Sequence, residues 1–379
     1  MVAPSGAWRR AWDRSAMMEL ADRAIVIARR MGKGLSMLAR LMARWLLLSA
    51  ALVCALVVAV TNVGTPVRGA IASKRAIPHP PGALLGVRPS GTTAYLWGVT
   101  CSSSSTCIAV GDHGTILATR DGGASWRRQP SRTAQLLDGI SCPGDNHCVA
   151  VGTRGTILVT KDGGATWRVQ RAGVSARLEG INCPNGNHCM TVGTGGAILT
   201  TVDGGTTWRR RASGTTRDLF SVACPSVVRC VVVGGLTSHG ATIVSSTNGG
   251  ATWVTRATGD SNDLYSVTCP TVARCVAVGD STHDSAGDAI LVTTDGGASW
   301  RDRAYVTPYI LSGVGCADTM RCVAVGDSGT VLSTVDGGAS WRLQTPTRTP
   351  NLSSVACLSP ARCIAVGDGG TILTSVIGD

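Results

Sequence analysis

Val151-Gly152-Thr153-Arg154-Gly155-Thr156-Ile157-Leu158-Val159-Thr160-Lys161-Asp162-Gly163-Gly164-Ala165-Thr166-Trp167 decides the fold. Thr156 to Thr160 is a short β-branched run bounded by glycines, which predicts a strand. Asp162-Gly163-Gly164 is a tight turn, because the carboxylate accepts backbone N–H groups and the glycines supply positive φ. A second short strand follows Trp167. The same turn, Ser/Thr-x-Asp/Asn-Gly-Gly-x-Ser/Thr-Trp, occurs six times, at Asp121–Trp126, Asp162–Trp167, Asp203–Trp208, Asn248–Trp253, Asp295–Trp300 and Asp336–Trp341. A period of about 40 residues built from short strands predicts a propeller.

The cysteines count the blades. Fourteen of the fifteen form seven C-x5-C pairs in phase with the turns: Cys101/Cys107, Cys142/Cys148, Cys183/Cys189, Cys224/Cys230, Cys269/Cys275, Cys316/Cys322 and Cys357/Cys363. Each repeat resolves into four strands, as in Leu219 to Cys224, Cys275 to Gly279, Thr156 to Thr160 and Ser340 to Arg342. No helical period lies between them. The expected fold is an all-β, seven-bladed propeller of four-stranded blades over residues 84–379. The seventh repeat carries no Trp strand. Leu85 to Ser90 lies one period ahead of Trp126 to Ser131, so residues 84–88 are expected to close the last blade and leave no open edge.

Ahead of the propeller, residues 1–44 hold nine basic and three acidic residues. Trp45 to Val63 is an uncharged apolar run. Its nineteen residues span about 28 Å as a helix, one bilayer core. The preceding arginines predict a cytoplasmic N-terminus and an extracytoplasmic propeller, through a single-pass transmembrane or signal anchor, or a secreted propeller if that segment is cleaved. Residues 64–83, with Pro66, Pro78, Pro80 and Pro81, read as a linker. Of the net charge of +12, only +3 falls beyond the linker, so the basic composition does not describe a nucleic-acid-binding surface.

Export makes oxidation of the seven pairs the expected state, each closing a short hairpin loop. Zinc would need closer spacing and a second pair nearby, so no metal and no cofactor is expected. The box residues are read as structural: the Asp holds the turn and the Trp fills the space between blades. The arginines after the box tryptophans (Arg127, Arg168, Arg209, Arg301 and Arg342) are expected on the outer rim.

The box motif is the Asp-box, or bacterial neuraminidase repeat. With the Val-Gly-x-x-Gly-x-Ile-Leu run ahead of it, the region resembles the seven-bladed photosystem II assembly/stability factor family and its relatives in non-photosynthetic bacteria. The resemblance implies the fold and a non-catalytic assembly role; nothing in the sequence implies photosynthesis. The box also occurs in sialidases, but their Phe/Tyr-Arg-Ile-Pro motif is missing: the one Phe, Phe220, precedes Ser221, and the one Glu of the domain, Glu179, has no Tyr in its own repeat. The expectation is an exported, membrane-anchored, monomeric binding or assembly platform for an envelope protein or complex. A carbohydrate-binding propeller or a divergent sialidase-like glycosidase is the alternative. Repeats four and five carry insertions between their second and third strands, Gly235 to Thr242 and Asp280 to Asp288. Insertions on one face of an array mark a candidate partner surface: His239, Asp280, His283, Asp284 and Asp288, with Tyr305 and Tyr309 beside them.

Overall fold

Seven antiparallel four-stranded sheets stand around a common channel, six of them in simple chain order. The computed structural model describes residues 86–235, 240–256, 263–281, 287–303, 307–344 and 350–376. All of these lie in the second of two units into which the chain divides, Met1–Ile77 and Pro78–Asp379. The basic segment 1–44, the apolar run 45–63 and the linker 64–83 lie outside the described residues. Among the described residues no helix is long and apolar enough to cross a membrane.

The second blade shows the plan. Its strands are Leu137–Ser141, Cys148–Gly152, Thr156–Thr160 and Arg168–Arg171, running from the channel to the rim. The second and third strands are buried throughout, because neighbouring blades cover both faces. Successive side chains serve opposite neighbours. Val149 and Val151 pack with Leu178 and Ile181 of the third blade, while Cys148 and Ala150 pack with Ile108 and Val110 of the first. Seven such clusters follow one another around the ring, the last joining Leu96, Val99 and Ala109 to Ile364, Val366 and Ile372. Each box Trp enters the cluster shared with the preceding blade; Trp167 is fully buried there.

Gly86–Arg88 pairs antiparallel with Ile372–Val376, placing Val87 opposite Leu373. The last blade therefore takes its outer strand from the start of the described chain. All seven cysteine pairs form disulfides within their own blades: Cys101–Cys107, Cys142–Cys148, Cys183–Cys189, Cys224–Cys230, Cys269–Cys275, Cys316–Cys322 and Cys357–Cys363. In the first, sixth and seventh blades the two cysteines face each other directly across the hairpin.

The second cysteine of every pair also belongs to the core. Cys107, Cys148, Cys189, Cys230, Cys275, Cys322 and Cys363 are all buried, each in the apolar cluster shared with the preceding blade. The physical reason is position. Each opens, or nearly opens, a second strand that neighbouring blades cover on both faces, so its sulfur takes a core site as an apolar side chain would. The first cysteines lie nearer the surface: Cys183 and Cys224 are buried, while Cys101, Cys142, Cys269, Cys316 and Cys357 are half-buried. The disulfides thus tie hairpins to the interior and do not line a site.

The Asp-box is a local hydrogen-bonded knot. Asp162 accepts the backbone N–H of Thr166 at 2.8 Å through Oδ1, and the Thr166 hydroxyl through Oδ2. Thr160 Oγ1 donates to Asp162 at 2.7 Å and accepts the Gly164 N–H at 2.9 Å. Gly163 and Gly164 have φ of 68° and 89°. These bonds favour the charged carboxylate and hold Asp162 down at about 2, the Thr166 hydroxyl being the largest cause. Asn248 keeps the arrangement, accepting the Thr252 N–H and donating its amide to the Thr252 hydroxyl.

The box turns and cysteine hairpins share one face of the ring, where the Gly163 N–H donates to the Asn146 carbonyl at 3.0 Å. On the opposite face, 3-10 turns join second to third strands in the first, second, third, sixth and seventh blades. They meet the blade-to-blade connections there, as where the Gly155 N–H reaches the Ala176 carbonyl at 2.8 Å. The fourth and fifth blades carry their insertions in that connection. In the fifth, the ladder runs on to pair Asp280 with Asp288 and Ser281 with Gly287.

A candidate binding site at the channel mouth

Each innermost strand has a fully buried leucine at its first or, in the fourth blade, second position: Leu96, Leu137, Leu178, Leu219, Leu264, Leu311 and Leu352. In all seven blades the ladder register shifts immediately after it. The next residue is left over as a β-bulge, and a bulge re-aims its side chain out of the pleat. The seven bulge residues are Trp97, Asp138, Glu179, Phe220, Tyr265, Ser312 and Ser353. All of them line one cavity of about 580 Å³ at the mouth of the channel, on the face of the 3-10 turns. Arg177, Thr194, Asp218, Ile310 and Asp327 complete its wall.

Carboxylates dominate this mouth. Arg177 donates from Nε to both oxygens of Asp138, at 3.1 and 3.2 Å, with a further bond from Nη2. Its Nε lies 4.0 Å from Glu179 Oε1. Burial nevertheless raises the pKa of Glu179 to about 7, with Arg177 opposing and Asp138 and Asp218 adding to the rise. Burial also raises Asp327, aided by Asp368. Asp218 accepts the Gly195 N–H at 2.7 Å.

The aromatic walls are tied to acids of the same face. Trp97 Nε1 donates to Asp112 at 2.8 Å, and its ring leans on Tyr95 at 6.3 Å between centroids. Tyr265 packs on Phe220 at 5.6 Å, and its hydroxyl donates to Asp280 at 3.4 Å. Tyr95 is 46% exposed and Trp97 36%, so this wall is open to solvent.

Of the partner-surface candidates, the structure brings Asp280 to this mouth. It accepts the Asp263 N–H at 3.2 Å besides the Tyr265 hydroxyl, and burial raises its pKa. Tyr309 is 42% exposed next to Ile310 of the cavity wall. Asp288 lies in the strand opposite Asp280. His239, His283, Asp284 and Tyr305 lie outside the described residues. Sequence reasoning missed Trp97, Asp138, Arg177, Asp218, Phe220 and Tyr265 as site residues. It also treated Glu179 as isolated, whereas the ring places it in one cavity with Asp138 and Tyr265. The available signal was the one position after the first-strand leucine that changes character in nearly every repeat. Among the described residues, no group of three or more His, Cys, Asp or Glu is arranged to hold a metal ion. The rim arginines Arg127, Arg168, Arg209, Arg301 and Arg342 are exposed on the outermost strands.

Residues 132–211 match the family described as photosynthesis system II assembly factor YCF48. No curated protein sequence matches the chain. Among solved structures, a YCF48 bound to a D1 peptide is 21% identical with a TM-score of 0.62, over 79% of this chain and 98% of that one. YCF48 from Cyanidioschyzon merolae is 19% identical with a TM-score of 0.62, over 76% of this chain and 98% of that one. A GH74 xyloglucanase from Xanthomonas campestris is 13% identical with a TM-score of 0.61, over 77% of this chain and 53% of that one. At these identities the structural likeness speaks for the fold alone. Taken with the matched repeats, it makes this chain a seven-bladed Asp-box propeller that resembles the photosystem II assembly factor family.

Proposed function

We propose that the protein is a membrane-anchored, exported, non-catalytic binding platform whose channel mouth receives a segment of an envelope protein or complex. The carrying observation is the mouth itself: seven bulge residues, one from each blade, converge on one cavity with chemically different side chains. A purely structural position would repeat, as the leucine before it does. The similarity to an assembly factor family, one member of which binds a peptide of another protein, supports a protein ligand. The apolar run 45–63 supports the anchor, and the seven disulfides support an oxidising compartment.

The test is in-cell photocrosslinking of the full-length protein, with a photoreactive residue at Tyr309 beside the mouth or at Arg168 on the rim. Enrichment of a membrane protein from position 309 and not from 168 supports the reading; equal yields, or none over background, overturn it. A second reading, glycan binding or cleavage, draws on one observation: Asp138 and Glu179 share a cavity with Trp97 and Tyr265. Paired carboxylates and stacking rings are what a glycosidase needs. Arg177 neutralises Asp138, which speaks for recognition over acid–base work.

A further inference from the structure

We infer that the mouth selects a cationic side chain, so that its ligand is an extended polypeptide segment carrying Lys or Arg. This rests on the binding-platform reading and adds the chemistry of the partner. The cavity, at about 580 Å³, admits a few side chains and no folded domain. The one guanidinium lining it among the described residues, Arg177, is bonded to Asp138 and reaches Glu179 only at the 4.0 Å limit of an ion pair, so it is shared between two carboxylates, while Asp218 and Asp327 line the same cavity with no ion pair to it. An anionic ligand would meet three carboxylates. A neutral one would strip them of water and return no charge.

The aromatic walls fit the same ligand. A cation over a Trp or Tyr face within about 6 Å is attracted by the ring quadrupole. Trp97 Nε1 donates to Asp112 and the Tyr265 hydroxyl to Asp280, so each ring's polar edge is turned to a carboxylate. That arrangement adds to the electron density of the ring faces. The desolvated carboxylates agree: burial raises Glu179 and Asp327, and an ammonium or guanidinium in the cavity would offset that cost. Apart from Arg177, many of the domain's arginines sit away from the mouth on the outermost strands.

The test uses full-length protein in detergent micelles and three fluorescein-labelled dodecapeptides of repeating Gly-Xaa-Gly-Leu, with Lys, Gln or Glu at Xaa. Fluorescence anisotropy is read at about 50 and about 300 mM salt, which brackets the range over which screening sets in. The Lys peptide is expected to bind at least tenfold more tightly than the Gln peptide, with that preference shrinking at high salt. The double variant Glu179→Gln/Asp327→Asn should lose about tenfold in affinity for the Lys peptide. Trp97→Ala should lose several-fold and Trp97→Phe recover part of it. Arg168→Gln on the rim should change nothing. Melting temperatures no lower than the parent's keep a folding defect from imitating these losses. Equal binding of Lys and Gln peptides, both lost in Trp97→Ala, overturns the cationic preference and leaves the platform reading standing. If no peptide binds while a xyloglucan oligosaccharide does, in a manner lost in Trp97→Ala, both readings fall.

Discussion

Replacing Glu179 with Gln should stabilise the propeller at pH 8 and leave it nearly unchanged at pH 4.5. The Glu179 side chain is 19% exposed. Its pKa is raised from 4.5 to about 7, chiefly by burial, with Arg177 opposing and Asp138 and Asp218 reinforcing. A raised acid means that the folded protein holds a proton the unfolded chain has released. The charge therefore costs nothing below about pH 4.5, costs more as pH rises, and reaches its full cost above about pH 7. At 1.36 kcal/mol per unit, the full cost is about 3 kcal/mol. Gln has the shape of the protonated acid and escapes it. For a domain this large, 1 kcal/mol moves the melting temperature by roughly 2 °C, so the variant should melt roughly 6 °C higher at pH 8. Scanning calorimetry of both proteins across that pH range reads the gap directly. A gap that does not widen with pH, or a variant that melts lower than the parent at pH 8, refutes the assignment of Glu179 to a desolvated mouth.

Other expectations concern the frame. Gly180→Ala would place a methyl 2.7 Å from the Phe220 carbonyl oxygen and 2.9 Å from the Ser221 Cα, forcing the third and fourth blades apart; overpacking of this kind costs roughly 1–3 kcal/mol, read by urea titration, whereas Gly144→Ala, with open space around it, should be silent. Asp162→Asn should be tolerated, as Asn248 already is, while Asp162→Ala should lower the melting temperature more, having no acceptor for the Thr166 N–H. The depressed Asp162 and Asp203 contribute stability above about pH 4 that is lost as pH falls toward 2, so acid titration of the parent should show a late loss that Asp162→Asn blunts. Deleting residues 86–88 would uncover the edge of Ile372–Val376; a lower melting temperature with self-association by light scattering is expected, and an unchanged melt would show that this strand does not close the ring.

The ring was legible because its devices are local and repeated. The Asp162 knot is made within seven residues, each disulfide spans six positions, and each strand is a short β-branched run. The four-strand count, the shared face of boxes and cysteine hairpins, and the pairing of Gly86–Arg88 with the last blade all follow from the phase of these signals. Asp280, where the fifth-blade insertion begins, accepts the Tyr265 hydroxyl beside the mouth. The burial of Cys107 or Cys363 was not legible in the same way, because the spacing of a pair says nothing of the blade that packs over it. Arg177 and Asp138 could not be paired either, because 39 positions separate them and only the turn of one blade against the next brings them together.

By itself, then, the sequence determined the number of blades, their strands, the knots at their turns and the point of closure, because each rests on contacts between near neighbours in the chain. The tertiary structure decided the site. A bulge after each first-strand leucine re-aims the next side chain, and alternation along the strand does not reveal it. The closed ring then carries seven such residues, 41 to 47 positions apart, into one cavity. The raised pKa of Glu179, the pairing of Arg177 and the aromatic wall arise from burial and proximity across blades, which exist only once the ring has closed.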